Sequence, residues 1–154
     1  MNTAIISECG RYRYTLHRAW NDDAPRMTYI MLNPSTADAS KDDPTIRRCI
    51  GFAKREGCGG LNVVNLFAYR GTNPADMKAA DDPVGPENDK WVGRIFATAD
   101  GPRVVAWGAD PFARERAARM GRAWRNLMCL GKTKSGAPRH PLYVPADAPL
   151  VAWP

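Results

Sequence analysis

At 154 residues and 44% hydrophobic content, the chain can bury one domain's core and is short for two; no apolar run approaches the roughly 20 residues of a membrane span. A formal charge of +6, from 22 basic and 16 acidic side chains, favours phosphate-bearing partners and is neutral about fold. Cys9, Cys49, Cys58 and Cys129 include no Cys-x-x-Cys pair, which excludes a zinc ribbon and leaves reduced thiols as the expectation, and Met1 to Glu8 lacks the basic and apolar regions of a secretion signal, so the expected location is cytoplasmic, with no membrane association.

In chain order, residues 3–7 and 11–19 alternate as two short strands around Glu8-Cys9-Gly10, with Tyr12, Tyr14 and Leu16 on one face and Arg11, Arg13 and Thr15 on the other. An N-terminal β-hairpin is expected there, with His17 on its surface. Asn21 to Pro25 is rich in turn formers, and Met27 to Leu32 is then apolar apart from Thr28, the pattern of a central parallel strand buried on both faces. Asp43-Pro44 reads as a capping residue followed by proline at the first helical position; Ile46, Cys49, Ile50 and Ala53 carry the helix to Gly57.

Leu61 to Phe67 is the next buried strand. Asn73-Pro74 opens a short helix, Asp81 to Pro86 breaks it, and Glu87 to Ala99 is helical through Trp91, Ile95 and Phe96. Arg103 to Trp107 is a third parallel strand closed by Gly108. Residues 109–125 are expected as a helix that packs Phe112, Ala113, Arg116, Met120 and Trp124 and turns Arg114, Arg119, Arg122 and Arg125 to solvent or phosphate. Leu127 to Leu130 is a fourth strand, and a basic, glycine- and proline-containing loop leads to Leu142-Tyr143-Val144. Strands alternating with helices specify an α/β fold, a three-layer α/β/α sandwich with a mostly parallel central sheet, here a single domain over residues 1–154.

Leu130-Gly131-Lys132-Thr133 imitates the end of a phosphate-cradling loop, but the required earlier glycine is Asn126 and the segment leads into Ser135-Gly136-Ala137-Pro138 rather than a helix. Nucleoside triphosphatase chemistry is excluded on that ground. The informative segments are those that end the strands: Leu32-Asn33-Pro34-Ser35, Val63-Val64-Asn65-Leu66-Phe67 and Pro138-Arg139-His140-Pro141-Leu142. Strand ends of an open parallel sheet converge on one crevice. Two carboxamides and an imidazole are expected to meet there, with Lys132, Lys134 and Arg139 beside the imidazole as a setting for an anionic ligand. No metal or cofactor is expected.

Four segments in this order, Met31-Leu32-Asn33-Pro34-Ser35, Val63-Val64-Asn65, Ala106-Trp107-Gly108 and Arg139-His140-Pro141-Leu142, resemble the motifs of the uracil-DNA glycosylase superfamily over residues 27–144. The chain looks still more like a family of bacterial and phage proteins catalogued as a domain of unknown function, through Leu-Asn-Pro-Ser-Thr-Ala-Asp, Asp-Asp-Pro-Thr-Ile-Arg-Arg-Cys and Pro-Arg-His-Pro-Leu-Tyr. The glycosylase resemblance implies a glycosylase-like fold and cleavage of a base from its sugar, on DNA ahead of RNA, or on a nucleotide. It implies that Asn65 reads the base edge, His140 donates to a base oxygen as charge builds, and Asn33 holds water near the anomeric carbon. Phe67 or Tyr69 supplies a stacking face, while Ser35, Arg70, Lys132, Lys134 and Arg139 complete the substrate contacts.

Asp38 is an auxiliary base or a loop anchor, and Asp43 most simply a helix cap. Arg47 and Arg48 stand where a helix start can face the same crevice. Asn33 occupies the place of the aspartate in the most active branch, and an amide is no general base. Leu142-Tyr143-Val144-Pro145 replaces the serine and DNA-inserting loop. A non-catalytic module that binds nucleic acid or a modified nucleotide, and another nucleotide-directed enzyme, are therefore the alternatives to a hydrolase.

Overall fold

The computed structural model of the protein describes residues 1–121 and 124–154; Arg122 of the expected arginine face lies outside them. Strands β1 (Thr3–Ile6) and β2 (Arg13–Ala19) form an antiparallel hairpin, followed by β3 (Arg26–Met31), α1 (Pro44–Arg55), β4 (Gly60–Asn65), α2 (Pro74–Lys78), α3 (Asn88–Ala97), β5 (Arg103–Val105), α4 (Pro111–Met120), β6 (Leu127–Cys129), a 3₁₀ turn at Pro141–Tyr143 and β7 (Val151–Ala152). The strands join in one mixed sheet in the order β1-β2-β4-β3-β5-β6-β7. Its four central strands β4, β3, β5 and β6 run parallel, while β2 and β7 flank them antiparallel. The fold is mixed α/β, and the hairpin extends the sheet instead of standing beside it.

Continuous apolar runs give strands two buried faces. Tyr29 and Met31 of β3 and Leu61 and Val63 of β4 pack with Ile46, Cys49 and Phe52 of α1, whereas Ile30 and Val64 pack with Met77 of α2, Val92 and Phe96 of α3 and Ala113 of α4. The helices begin where capping chemistry places them: the side chains of Asp43, Asn73 and Asp110 accept from the backbone N–H of Ile46, Ala75 and Phe112, each ahead of a proline. On α3 the fully buried stripe is Asn88, Val92 and Phe96; Trp91 and Ile95 are half-buried, a quarter-turn off the expected face. Among the described residues no helix is long and apolar enough to cross a membrane.

The hairpin departs most from expectation. Its expected alternation is broken by a register shift against Ile5 and Ile6, which leaves Leu16 in the α1-side core while Tyr14 lies beside Gly85, and Arg13, Thr15 and Arg18 are all shielded from solvent. Segment 37–43 packs over the strand and gives both arginines acceptors. Arg18 donates to the Asp42 carboxylate at 2.8 Å and to the carbonyls of Asp38, Ala39 and Lys41. His17 is half-buried rather than on the surface, its ring nitrogens hydrogen-bonded to Asn62 Oδ1 at 2.7 Å and Thr15 Oγ1 at 3.0 Å. Of the thiols, Cys9 is exposed, Cys49 and Cys58 are buried in the α1-side core, and Cys129 is buried on the other side of the sheet.

Candidate functional site

Because β4 lies on one side of β3 and β5 on the other, the chain reverses its direction across the sheet beside β3, the place where ligand crevices form outside the carboxyl ends of strands. A cavity of about 40 Å³ opens there. Asn33, Ser35, Asn65 and His140 all line it, joined by Arg13 and Asp43. The structure therefore brings together the two carboxamides and the imidazole. The space is that of a water molecule or two and well below that of ordinary small-molecule pockets.

Each wall is fixed by an identifiable tie. Asn33 leaves β3 two residues beyond its end, and its Nδ2 donates to the carbonyls of Gly71 at 2.9 Å and Pro34 at 3.2 Å; Gly71 N–H returns a bond to Pro34 O at 2.9 Å. Asn65 is the last residue of β4, paired with Met31 in the parallel ladder, and its carbonyl is held by the Asn88 side chain at 3.0 Å. The side chain of Asn65 is 1% exposed, and among the described residues its Nδ2 meets no acceptor. An unpaired buried amide costs free energy. It persists in a cavity wall, where a ligand can supply the missing acceptor.

Arg13 shares that condition. Its Nη1 donates to Ala37 O at 3.2 Å, but its buried Nε has no acceptor among the described residues. Burial pulls the guanidinium down to about 10, with the Asp43 charge opposing the shift, so it remains a cation at neutral pH. Asp43 is 6% exposed and does two structural jobs at once: one oxygen caps α1 through Ile46 N–H at 2.9 Å, and the other accepts from Ala37 N–H at 3.3 Å.

His140 precedes the 3₁₀ turn and caps it: Leu142 N–H donates to Nδ1 at 3.2 Å. Nδ1 is thus the bare nitrogen, and the neutral ring carries its proton on Nε2. Burial lowers the pKa of the ring below its ordinary value, with Asp43 opposing, so the neutral Nε2–H form prevails at pH 7. Arg48 anchors the turn from α1, donating from Nε to Pro141 O at 3.2 Å and from Nη2 to Val144 O, whereas Arg47 is exposed and bonds Asp42 O. Of the two arginines considered at the helix start, Arg48 positions the imidazole loop.

Other expected site residues lie elsewhere. Asp38 folds back on its own loop, its Oδ1 accepting from Ser40 and Lys41 N–H at 3.0 and 2.8 Å, which pulls its carboxyl below the usual range. It is the loop anchor of the two roles considered for it, and the carboxylate in the cavity is Asp43. Phe67 is 3% exposed and stacked on Phe112 at 4.7 Å, and Tyr69 packs edge-on against Tyr12; neither presents a face to the cavity. Arg70 reaches Gly10 O, and Lys132, Lys134 and Arg139 sit exposed on the 131–139 loop, Arg139 donating to Lys132 O.

Sequence reading missed Arg13 as a site residue and gave Asp43 only its capping role. The available signal was two arginines, Arg13 and Arg18, in a strand otherwise buried. No curated protein and no solved structure matched the chain. Residues 13–142, all but the ends of the sequence, match the family described as "Protein of unknown function (DUF1643)", and the chain belongs to that family.

Proposed function

We propose that this protein is a nucleobase-directed N-glycosidic hydrolase of the uracil-DNA glycosylase type, acting on DNA or on a nucleotide. The observation that carries the reading is Asn65: a fully buried carboxamide with an orphaned Nδ2 in the same cavity wall as His140 and Asn33. An amide held in one plane at the end of a parallel strand can donate to a base carbonyl and accept from a ring N–H. His140 offers a neutral Nε2–H to a second carbonyl oxygen as charge builds on the departing base. In the reaction the C1′–N bond breaks, its electron pair leaves with the base, water oxygen bonds to C1′, and the water proton goes to solvent or to the base.

The cavity as it stands does not hold a base, so substrate entry requires its walls to part. Ser35 is the least tied of them, half-buried and in contact with Thr72 Oγ1 only at 3.5 Å. A second reading is favoured by Asp43: both its oxygens are taken by backbone N–H groups, and among the described residues no other carboxylate lines the cavity. A site with donors and no available base suits a binding module for a modified base or nucleotide.

One experiment separates the two. Oligonucleotides carrying uracil, hypoxanthine or hypermodified pyrimidines are incubated with the protein and assayed for free base and alkali-labile sites. Release that His140→Ala and Asn65→Leu abolish supports hydrolysis. Salt-sensitive binding without release supports the module, and neither release nor binding on any substrate removes the nucleobase reading.

A further inference from the structure

A second and much larger cavity, of about 650 Å³, lies across the Trp107-Gly108 segment from the first. Gly108 lines it, and a Cβ built at Gly108 comes within 3.9 Å of His140 Cβ, so the Trp107-Gly108 strand end and the Pro138 to His140 segment form a partition between the two spaces. Gly108 N–H fixes that partition through Pro138 O at 2.9 Å, with a left-handed φ of 81° that favours glycine.

The walls are aromatic and cationic. Trp107, Trp124 and Trp153 line the space, with Arg114 and Arg125 at its edge. Two of the indoles are braced by residues outside the lining: Phe96 stacks on Trp124 at 4.8 Å, and Lys132 Nζ lies 5.8 Å from the centre of Trp153. Trp107 meets Trp153 edge-on at 5.9 Å. Asp110, the one acidic residue of the lining among the described residues, is neutralised by Lys78 at 2.7 Å while it caps α4. Asn126, the one non-glycine residue with positive φ (57°) among those described, also lines the cavity, so the turn into β6 is held in an uncommon conformation beside it.

We propose that this second cavity binds a nucleotide, with the base against the indoles of Trp124 and Trp153 and the phosphate towards Arg114 and Arg125. Indole faces take any base by stacking, and guanidinium groups pair with phosphate. The proposal goes beyond glycosidic hydrolysis: it assigns a separate site that operates whether or not the first cavity is catalytic. The ligand has two sources, a free nucleotide or one unpaired nucleotide of a single strand.

The test is equilibrium dialysis of the full chain against thymidine, thymidine monophosphate and octathymidylate. Ala118 is exposed and lines the cavity, so Ala118→Trp fills the space from outside the core. Ala118→Trp is expected to weaken thymidine monophosphate about tenfold or more, the loss that goes with one stacked base. Arg114→Ala weakens the phosphate-bearing ligands and leaves thymidine unchanged. Asn65 lines the first cavity alone, so the share of binding that Ala118→Trp removes is expected to survive Asn65→Leu, and any share lost only to Asn65→Leu belongs to the first cavity. Equal affinity for the monophosphate and the octamer identifies a free nucleotide; tightening with length identifies a strand, and both uphold the site. The proposal is overturned by no retention of any probe at about 1 mM, or by binding that survives Ala118→Trp and vanishes in Asn65→Leu. Base release is scored separately, so a protein that binds in this pattern and releases nothing loses the hydrolase reading and keeps the second site.

Discussion

Asn65→Leu tests the claim that the crevice amide is held for a ligand and not for the fold. The side chain is 1% exposed, and among the described residues its Nδ2 has no acceptor. Leaving a buried polar group unpaired costs about 1–3 kcal/mol, and an apolar side chain of similar shape removes that cost. Imperfect fit of Leu against Met31 and Ile46 subtracts up to about 1.5 kcal/mol. The expected balance is a gain of about 1 kcal/mol, which is about 2–4 °C in melting temperature for a chain of this size. Asn88→Leu is the control: that side chain is equally buried and its own Oδ1 is orphaned, but its Nδ2 donates to Asn65 O and to Leu66 O; Leu66 O keeps Arg116 Nε at 2.9 Å, so the loss strands Asn65 O and is expected to destabilise by about 1 kcal/mol. Urea unfolding of the three proteins measures both signs. Loss of more than about 1 kcal/mol in Asn65→Leu refutes the reasoning, because the amide then serves the fold.

Arg18→Ala removes the donors that hold the 37–43 segment and leaves the Asp42 carboxylate and the carbonyls of Asp38 and Ala39 without their partner, while Lys41 O keeps Asp38 N–H; a loss of about 3 kcal/mol is expected in denaturant unfolding. Asp43→Ala loses the cap of α1 and the acceptor of the buried Ala37 N–H, at about 2–3 kcal/mol together, and Asp43→Ser, which can still accept from Ile46 N–H, recovers the cap's share of about 1 kcal/mol; equal loss in both variants refutes a capping role. For pH, burial places His140 and His17 below their unfolded-state pKa, so on acidification the unfolded chain takes up protons first and stability falls as pH drops through about 6.5. In His140→Asn, whose Oδ1 can still accept from Leu142 N–H, the difference in unfolding free energy between pH 7.5 and 5.5 is expected to shrink, and an unchanged difference clears His140 of any part in it.

The strands and helix starts were legible because they depend on local pattern and on the chemistry of one residue. Runs such as Met27 to Leu32 have two apolar faces because the strand has two covered faces, and Asp43-Pro44 and Asn73-Pro74 write their own caps. Convergence of Asn33 and Asn65 followed from strand direction, since residues that end parallel neighbours share an edge of the sheet, whereas His140, well past the end of β6, is brought there by a loop that Arg48 and Gly108 hold. What was not legible depends on contacts distant in the chain. Arg13 and Arg18 of β2 are polar by residue type, and polar reads as exposed unless the acceptors are known. Apart from the Asp42 carboxylate, those acceptors are backbone carbonyls of residues 37–41, which any sequence would supply. For the same reason the pairing of Phe67 with Phe112, which closes the expected stacking face, could not be seen from strand-end position.

The same wiring decides which wall of the small cavity can yield. Residues 37–43 are held from beneath by two buried arginines, and opening that side breaks bonds that have no solvent to replace them. The His140 turn is held by Arg48 and by the Gly108 to Pro138 bond, and its displacement withdraws the Nε2–H donor that gives the site its chemistry. Ser35, with a weak contact to the exposed Thr72, is the wall whose movement costs least. Entry past Ser35 leaves the three donors in place: Asn65 Nδ2, Arg13 Nε and the imidazole. A ligand admitted there meets hydrogen-bond donors fixed before it arrives, which selects for groups rich in carbonyl or anionic oxygen and against those that present only N–H.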